Sequence, residues 1–328
     1  MTLALREAWK YQGLTYPNPA VGCTVVGEHG EILAVEAHHK AGEPHAEVNA
    51  LKAAYYKLTN DSYILALQDS ADIHTHLLSN HNGIFQHTKL YTTLEPCSHQ
   101  GKTPSCANLI AELGIQEVYV GANDTNKKAA NGSMLLSMNN CTVYSEIMKK
   151  ECDALLLPFQ KSLESSFVFF KWAQRLNGTV DGGIISSDSS RKQVHAMRDV
   201  CDLLVIGGET VRRDRPTLDA RLVNGKAPDI LILSRKQDFD RTIPLFSIEG
   251  RKVYIEDNLE RLHVYKNIMI EGGSQMYALT RDVVDYYLCY IAPSFGGEES
   301  IKFGNDKFEF LNVDKESEDI IVWMKRRI

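Results

Sequence analysis

What this chain lacks narrows its function before any motif is read. No stretch approaches the roughly 18 uninterrupted apolar residues of a membrane helix, and the opening residues, MTLALREAWKY, hold no signal-peptide apolar core. A cytoplasmic protein without a membrane partner is expected. Basic charge is not in excess: 36 Lys and Arg face 42 Asp and Glu, a net charge of −6. That is the wrong sign for a general nucleic-acid binder, which presents a basic face, so local cations must meet any phosphorylated ligand. Cysteine is sparse, seven residues at irregular spacing, and reduced thiols are expected rather than a disulfide framework. Cys141, Cys152, Cys201 and Cys289 read as ordinary small residues. No low-complexity linker interrupts the chain, and no GxGxxG dinucleotide fingerprint follows a strand.

At 328 residues the chain suits two domains of about 150 residues each. The first half alternates short helix and strand signals in the manner of a layered α/β domain: helix at Leu3 to Gln12 and Ala46 to Leu58, strands at Val21 to Val26, Leu90 to Leu94, Glu117 to Gly121 and Cys141 to Tyr144. The second half has strand signals at Asp202 to Ile206, Ile230 to Leu233, Lys252 to Ile255, Asn267 to Ile270 and Tyr286 to Ile291, which predict a second α/β domain. The junction falls between Thr142 and Ser162, giving domains at 1–150 and 160–328.

Chemistry concentrates in His45-Ala46-Glu47, Pro96-Cys97 and Cys106. One His and two Cys thiolates can fill three tetrahedral positions on zinc and leave the fourth to water, whose pKa falls to about 7 there. Glu47, a carboxylate that need not be a ligand, is placed to carry protons, so the kit is that of a hydrolytic deaminase acting on a nucleobase-like ring. The eight residues SHQGKTPS separate Cys97 from Cys106, a departure from the usual PC-x-x-C. Pro104 at the first helical position with Thr103 as N-cap would put Cys106 in a helix first turn, where the dipole favours thiolate. Pro44 is expected to serve His45 and Glu47 in the same way. Singly, a His-x-Glu is ordinary helix surface and two Cys are small buried hydrophobes. A closed structural zinc site would need a fourth protein ligand, for which spacing leaves His99 and Cys23 open.

Together, TLEPCSHQGKTPSC (93–106), GEPHAEVNAL (42–51) and YPNPAVGC (16–23) resemble the bifunctional riboflavin-biosynthesis deaminase/reductase family. The resemblance implies a cytidine-deaminase-like α/β domain followed by a dihydrofolate-reductase-like α/β domain. It also implies zinc on His45, Cys97 and Cys106, Glu47 as proton shuttle, and Asn18 holding the pyrimidine. Between Tyr56 and Lys89 the family is much shorter. That interval carries His74, His76, His81 and His87, whose polar setting reads as a surface excursion, a lid or a subunit contact, with a second metal site as the rival.

In the second half, Ile270-Glu271-Gly272-Gly273-Ser274 closes a strand and opens a helix, by itself only an anion-site candidate. GGETVRRDRPTLDAR (207–221) is similar to the family's reductase motif. The resemblance implies NADPH at Thr210, Asp214 and Gly273-Ser274-Gln275-Met276-Tyr277-Ala278-Leu279, and substrate at Arg198, Leu218, Arg221 and Glu271. Arg212, Arg213 and Arg215 read as a solvated turn. After Gly178 the loop TVDGGIISSDSSR is shorter than in the family, with Ile184 where the family has Trp and with Ser186 and Ser187 as the nearest replacements for a substrate-contacting Ser. Lys171 and Glu271 are the candidate proton donors.

The expected protein is therefore a zinc- and NADPH-dependent enzyme of riboflavin biosynthesis, a homo-oligomer acting on a small phosphorylated pyrimidine. Three rivals stay open: a deaminase whose reductase half is degenerate, a nucleic-acid-editing deaminase, which would need a basic groove with aromatic platforms, and a non-enzymatic zinc scaffold.

Overall fold

The computed structural model describes residues 1–99, 104–124, 131–315 and 318–327. The chain forms two compact units, Met1–Gln160 and Lys161–Ile328, and both are α/β.

The first unit runs α1 (Thr2–Lys10), β1 (Gly22–Val26), β2 (Ile32–Ala37), α2 (Ala46–Thr59), α3 (Tyr63–Ala66), α4 (Ser70–Asn80), β3 (Lys89–Leu94), α5 (Cys106–Glu112), β4 (Glu117–Ala122), α6 (Gly132–Met138) and β5 (Thr142–Tyr144). Among the described residues its strands make a five-stranded sheet in the order β2-β1-β3-β4-β5. β1 is antiparallel to β2 and β3, whereas β3, β4 and β5 are parallel. Parallel strands need crossover connections, and α5 provides the one from β3 to β4. Its first turn thereby lies just beyond the C-terminal end of β3.

The helix starts correct the reading of the prolines. Ser105, not Thr103, caps α5, its hydroxyl accepting from Asn108 N–H at 3.2 Å, and Cys106 is the first helical residue. A serine three residues before a free N–H is a strong cap, and it displaces Pro104 to a position before the helix; Thr103 lies outside the described residues. Pro44 likewise precedes the cap of α2, which is His45.

Residues 57–88 do not form a surface excursion. α3 and α4 pack on α2 and α5, because Ile64, Ile73, Leu77 and Phe85 are fully buried and draw the segment inward. The four histidines separate: His74 is buried, His76 pairs with Asp61 at 2.9 Å, His81 accepts from Gly83 N–H, and His87 is exposed. Among the described residues none of them joins a metal-ligating group.

α7 (Lys149–Glu164) carries the chain across the division. The second unit follows as β6 (Phe167–Arg175), α8 (Asp188–Val200), β7 (Leu203–Gly207), α9 (Gly208–Asp214), β8 (Asp229–Leu233), β9 (Val253–Glu256), β10 (Asn267–Glu271), α10 (Ser274–Thr280), β11 (Tyr286–Ala292), β12 (Lys307–Asp314) and β13 (Ile320–Arg327). The described strands make an eight-stranded sheet in the order β12-β13-β11-β6-β10-β7-β8-β9. From β11 to β9 neighbouring strands are parallel, and β12 and β13 add an antiparallel edge. The central strands β6, β7 and β10 read as runs of Phe, Val, Leu and Ile because both faces are covered. Their C-terminal ends, where polar residues replace this run, open onto one cleft.

Candidate active sites

His45 holds an extended backbone at the cap of α2 and makes no side-chain cap bond. Its Nδ1 lies 3.4 Å from Cys106 Sγ and 3.7 Å from Cys97 Sγ, and the three ligand atoms all fall within 4.8 Å of one another. Cys97 reaches this point because its loop is tied to α5. Its carbonyl accepts from Ala107 N–H at 3.1 Å and from the Ser105 hydroxyl at 2.9 Å, while Cys106 N–H donates to Cys97 Sγ at 3.4 Å. Of the two thiols Cys97 is the more acidic, since hydrogen bonds from Cys106 and His45 stabilise its thiolate. Cys106, fully buried beside that sulfur, is pushed up.

One imidazole and two sulfurs at this separation are the donor set of an open zinc site with three protein ligands. Among the described residues neither Cys23 nor His99 belongs to the group: Cys23 is buried within β1, where burial drives its thiol well up, and His99 is exposed. Glu47, in the first turn of α2, is buried and also outside the group. Burial raises its carboxyl to about 7 against the opposing pull of His45. A carboxyl poised there can both accept and release a proton near neutrality.

Asn18 is held by a residue that sequence reasoning missed. His38, at the end of β2, is buried, and burial lowers its pKa to about 4. Its Nδ1–H donates to the Pro44 carbonyl at 3.1 Å, so Nε2 must accept, and Asn18 Nδ2 donates to it at 3.0 Å. This fixes the Asn18 amide with its oxygen directed away from His38. Asn49 Nδ2 donates to the same Pro44 carbonyl at 3.3 Å and to Ala37 O at 2.9 Å, clamping the loop that delivers His45. The doublet His38-His39 just before GEPH was the available signal.

In the second unit the cleft encloses about 1560 Å³. Of the residues named from sequence, Thr210, Asp214, Glu271, Gly273, Ser274, Gln275, Met276 and Leu279 line it. Tyr277 does not: it lies on the core face of α10, among Phe170, Tyr287 and Phe303, with its hydroxyl on Asp306. Ala278 faces solvent, and Arg198, Leu218 and Arg221 also lie outside the lining. Arg198 is spent on Glu271, which it grips through Nη2 at 2.9 and 3.1 Å and Nε at 3.2 Å. Burial opposes the Glu271 charge, but Arg198 and Lys171 outweigh it and hold the carboxyl below its ordinary range. Arg221 pairs with Asp219 at 2.7 Å. Leu218, buried with φ +55, is braced by Arg251, a residue missed from sequence, which donates to the carbonyls of Thr217, Leu218 and Pro228.

Lys171 lines the cleft on β6 in register with Glu271, and burial lowers its pKa. Ser186 also lines the cleft, whereas Ser187 caps α8 and bonds Asp319. Arg212 is not part of a solvated turn. It stacks on Phe239 at 4.0 Å and donates to the carbonyls of Lys236 and Asp238 at 3.1 and 3.3 Å, because a guanidinium can satisfy several carbonyls and cover a ring at once. Arg213 and Arg215 do sit at the surface, paired with Asp214 and Asp240. A Cβ added at Gly273 would meet nothing within 4 Å, so the cleft floor at this turn leaves room for a close-packed nucleotide backbone.

Residues 1–122 match the family described as the cytidine and deoxycytidylate deaminase zinc-binding region, and residues 167–322 match the RibD C-terminal domain. The chain is 32% identical over 283 residues to the riboflavin biosynthesis protein RibD of Bacillus amyloliquefaciens, spanning 80% of this chain and 69% of that one. It is 28% identical over 347 residues to RibD of Actinobacillus pleuropneumoniae, spanning 92% and 85%. A crystal structure of a diaminohydroxyphosphoribosylaminopyrimidine deaminase/5-amino-6-(5-phosphoribosylamino)uracil reductase from Thermotoga maritima superimposes with a TM-score of 0.64 at 27% identity, over 100% of this chain and 97% of that one.

Proposed function

The chain belongs to the RibD family of riboflavin biosynthesis proteins, deaminase and reductase in one polypeptide, and we propose that residues 1–150 deaminate and residues 160–328 reduce. The first reaction removes ammonia from the 2-amino carbon of a 2,5-diamino-6-ribosylamino-pyrimidinone 5′-phosphate. The second converts the ribosyl group to ribityl with NADPH. The observation that carries the reading is the group His45, Cys97 and Cys106 with Glu47 buried beside it and outside it.

Zinc, when bound by those three residues, supplies Lewis-acid activation of water. With the metal held there, Glu47 would accept one proton from the attacking water and pass it to the ring nitrogen, then carry a second, from the hydroxyl newly formed on carbon, to the departing amine; its carboxyl near 7 suits both transfers. Asn18, oriented by His38, presents its amide to the pyrimidine. In the cleft, NADPH supplies the hydride and the chain supplies position. Thr210, Asp214 and the turn from Gly273 to Leu279 would hold the cofactor, with Tyr277 supporting from the core side. Glu271, kept ionised by Arg198, would face the ribosyl group together with Lys171, whose pKa burial lowers and whose ammonium can give the proton that balances hydride transfer. Arg221 and Leu218 support the same end through Asp219 and the segment braced by Arg251. No helix among the described residues is long and apolar enough to cross a membrane, and a cytoplasmic homo-oligomer is our reading of the working state.

The test is a coupled assay on purified protein in which ammonia release and NADPH oxidation are followed separately. Both should proceed in sequence on the diaminopyrimidine substrate. Ammonia release that survives complete, verified removal of zinc would overturn the deaminase mechanism. A failure to oxidise NADPH with the deaminated intermediate at saturation would leave the chain with one chemistry.

A further inference from the structure

We propose, building on the reduction assigned to the second unit, that Arg235 and Lys236 at the end of β8 bind the 2′-phosphate of NADPH and set the preference for it over NADH. The cations lining the cleft are Lys171, Arg213, Arg235 and Lys236. Lys171 lies in register with Glu271, and Arg213 is held by Asp214 at 2.7 Å. Arg235 and Lys236 are exposed, and among the described residues neither side chain has an ion-pair partner. Among the described residues they are the two exposed cations of the lining without an ion pair.

Their place in the sheet matches the cofactor's length. Running from β6 through β10 and β7 to β8 is three strand steps, roughly 14 Å at about 4.8 Å each. Lys171 and Glu271 mark one end of that run, the open Gly273 turn follows β10, and Arg235 and Lys236 mark the other. A dinucleotide laid across the strand ends with its nicotinamide at Lys171 brings its adenine ribose to β8.

The turn that carries the two cations is built rather than loose. Ser234 Oγ donates to the Lys236 carbonyl at 2.8 Å, and Arg212 bonds the carbonyls of Lys236 and Asp238 while stacking on Phe239. Beneath it, a Cβ at Gly208 would lie 2.6 Å from Ser234 Oγ, so the start of α9 approaches the turn as only glycine permits. Arg212 thus fixes the backbone and leaves Arg235 and Lys236 facing the cleft. Asp257, beyond β9, also lines it and would favour the free hydroxyls of an unphosphorylated ribose. Glu209 lines this end as well but is paired with Arg212 at 3.1 Å, so two cations face Asp257 and favour the phosphate, which the guanidinium fork suits in shape as well as charge.

The experiment measures, by calorimetry on the full-length protein, binding of adenosine 2′,5′-bisphosphate and of AMP to the wild type and to the Arg235→Gln/Lys236→Gln double variant. The wild type is expected to prefer the bisphosphate. The variant should lose about ten- to a hundred-fold in affinity for it, the scale of charge-assisted hydrogen bonds, while AMP affinity stays within about twofold and reports an intact cleft. Unchanged bisphosphate affinity overturns the proposal, and so does an equal loss for both nucleotides. The KM ratio of NADH to NADPH should fall in parallel. A wild type that prefers the bisphosphate but reduces nothing would sink the reductase reading and leave the phosphate subsite standing. One that oxidises both nucleotides equally well would do the reverse.

Discussion

Glu47 carries the sharpest prediction at the level of single residues. Because it stands outside the ligand group, Glu47→Gln should keep full zinc content and lose deamination by about two to four orders of magnitude. Elemental analysis beside an ammonia assay checks both halves, and near-normal ammonia release with full metal would remove the assignment. Arg198 makes a different case. Its guanidinium is committed to Glu271, with side chains only 12% and 15% exposed. Removing one partner of such a pair leaves a buried charge uncompensated, so Arg198→Met should destabilise the second unit by about 3–5 kcal/mol. Denaturant unfolding followed through that unit's tryptophans measures it; a loss below about 1 kcal/mol would mean Lys171 alone satisfies Glu271.

Among elements, the loop after β6, for which the resemblance implied a shortening, is clasped. Asp181 accepts from the backbone N–H groups of Glu298 and Glu299 at 3.0 Å, Asn177 and Thr179 reach the Gly296 carbonyl, and Arg175 donates to Asp181 O at 2.6 Å. The reductase should therefore turn over with this loop as it stands. Asp181→Ala should raise its KM several-fold with a smaller change in kcat, as expected for loss of positioning rather than of chemistry; steady-state kinetics with the deaminated intermediate would show the opposite split if the loop acts in catalysis. α4 offers a stability test. Among the described residues Ser70 Oγ is buried without a partner, so Ser70→Ala should be neutral or stabilising by up to about 1 kcal/mol in thermal unfolding.

These elements also show how far the sequence could be read. The strands β3, β4, β7, β8, β10 and β11 were legible within a residue or two because each is a short apolar run bounded by polar punctuation. β2 was not, since Ile32 to Ala37 mixes Glu36 into the pattern, and β12 was hidden by Lys, Glu and Asn on the sheet edge, whereas β13 opens on the apolar run Ile320 to Met324 and went unread. In the deaminase site the ligands announced themselves as a motif. His38 and Arg251 did not, because their roles come from hydrogen bonds to backbone carbonyls that only the folded chain brings near. Tyr277 follows the glycine turn in sequence, but the helical period of α10 turns it to the core, and the pairing of Arg198 with Glu271 joins two elements that only the fold brings together.

For the whole molecule, the separate cores imply separable activities. Cys106→Ser should abolish zinc-dependent ammonia release while a supplied deaminated intermediate still oxidises NADPH. Loss of both activities in protein shown to be folded by circular dichroism would mean the units are energetically coupled.

The strand order of the second sheet also bears on synthesis at the ribosome. β6 emerges first from that unit, yet its neighbours are β10 and β11: Phe167 lies opposite Asn267, and Phe169 opposite Tyr286. The first unit closes its sheet with β5, at Tyr144, long before those partners are translated. A nascent chain halted near residue 250, with β6 outside the ribosome and β10 not yet made, should thus already release ammonia, while its Phe-rich β6 stays unpaired and open to chaperones. Protease pulses on stalled chains would see protection of the first unit early. The second should become resistant only after β11 has left the exit tunnel, so one messenger yields its two catalysts in the order in which the pathway uses them.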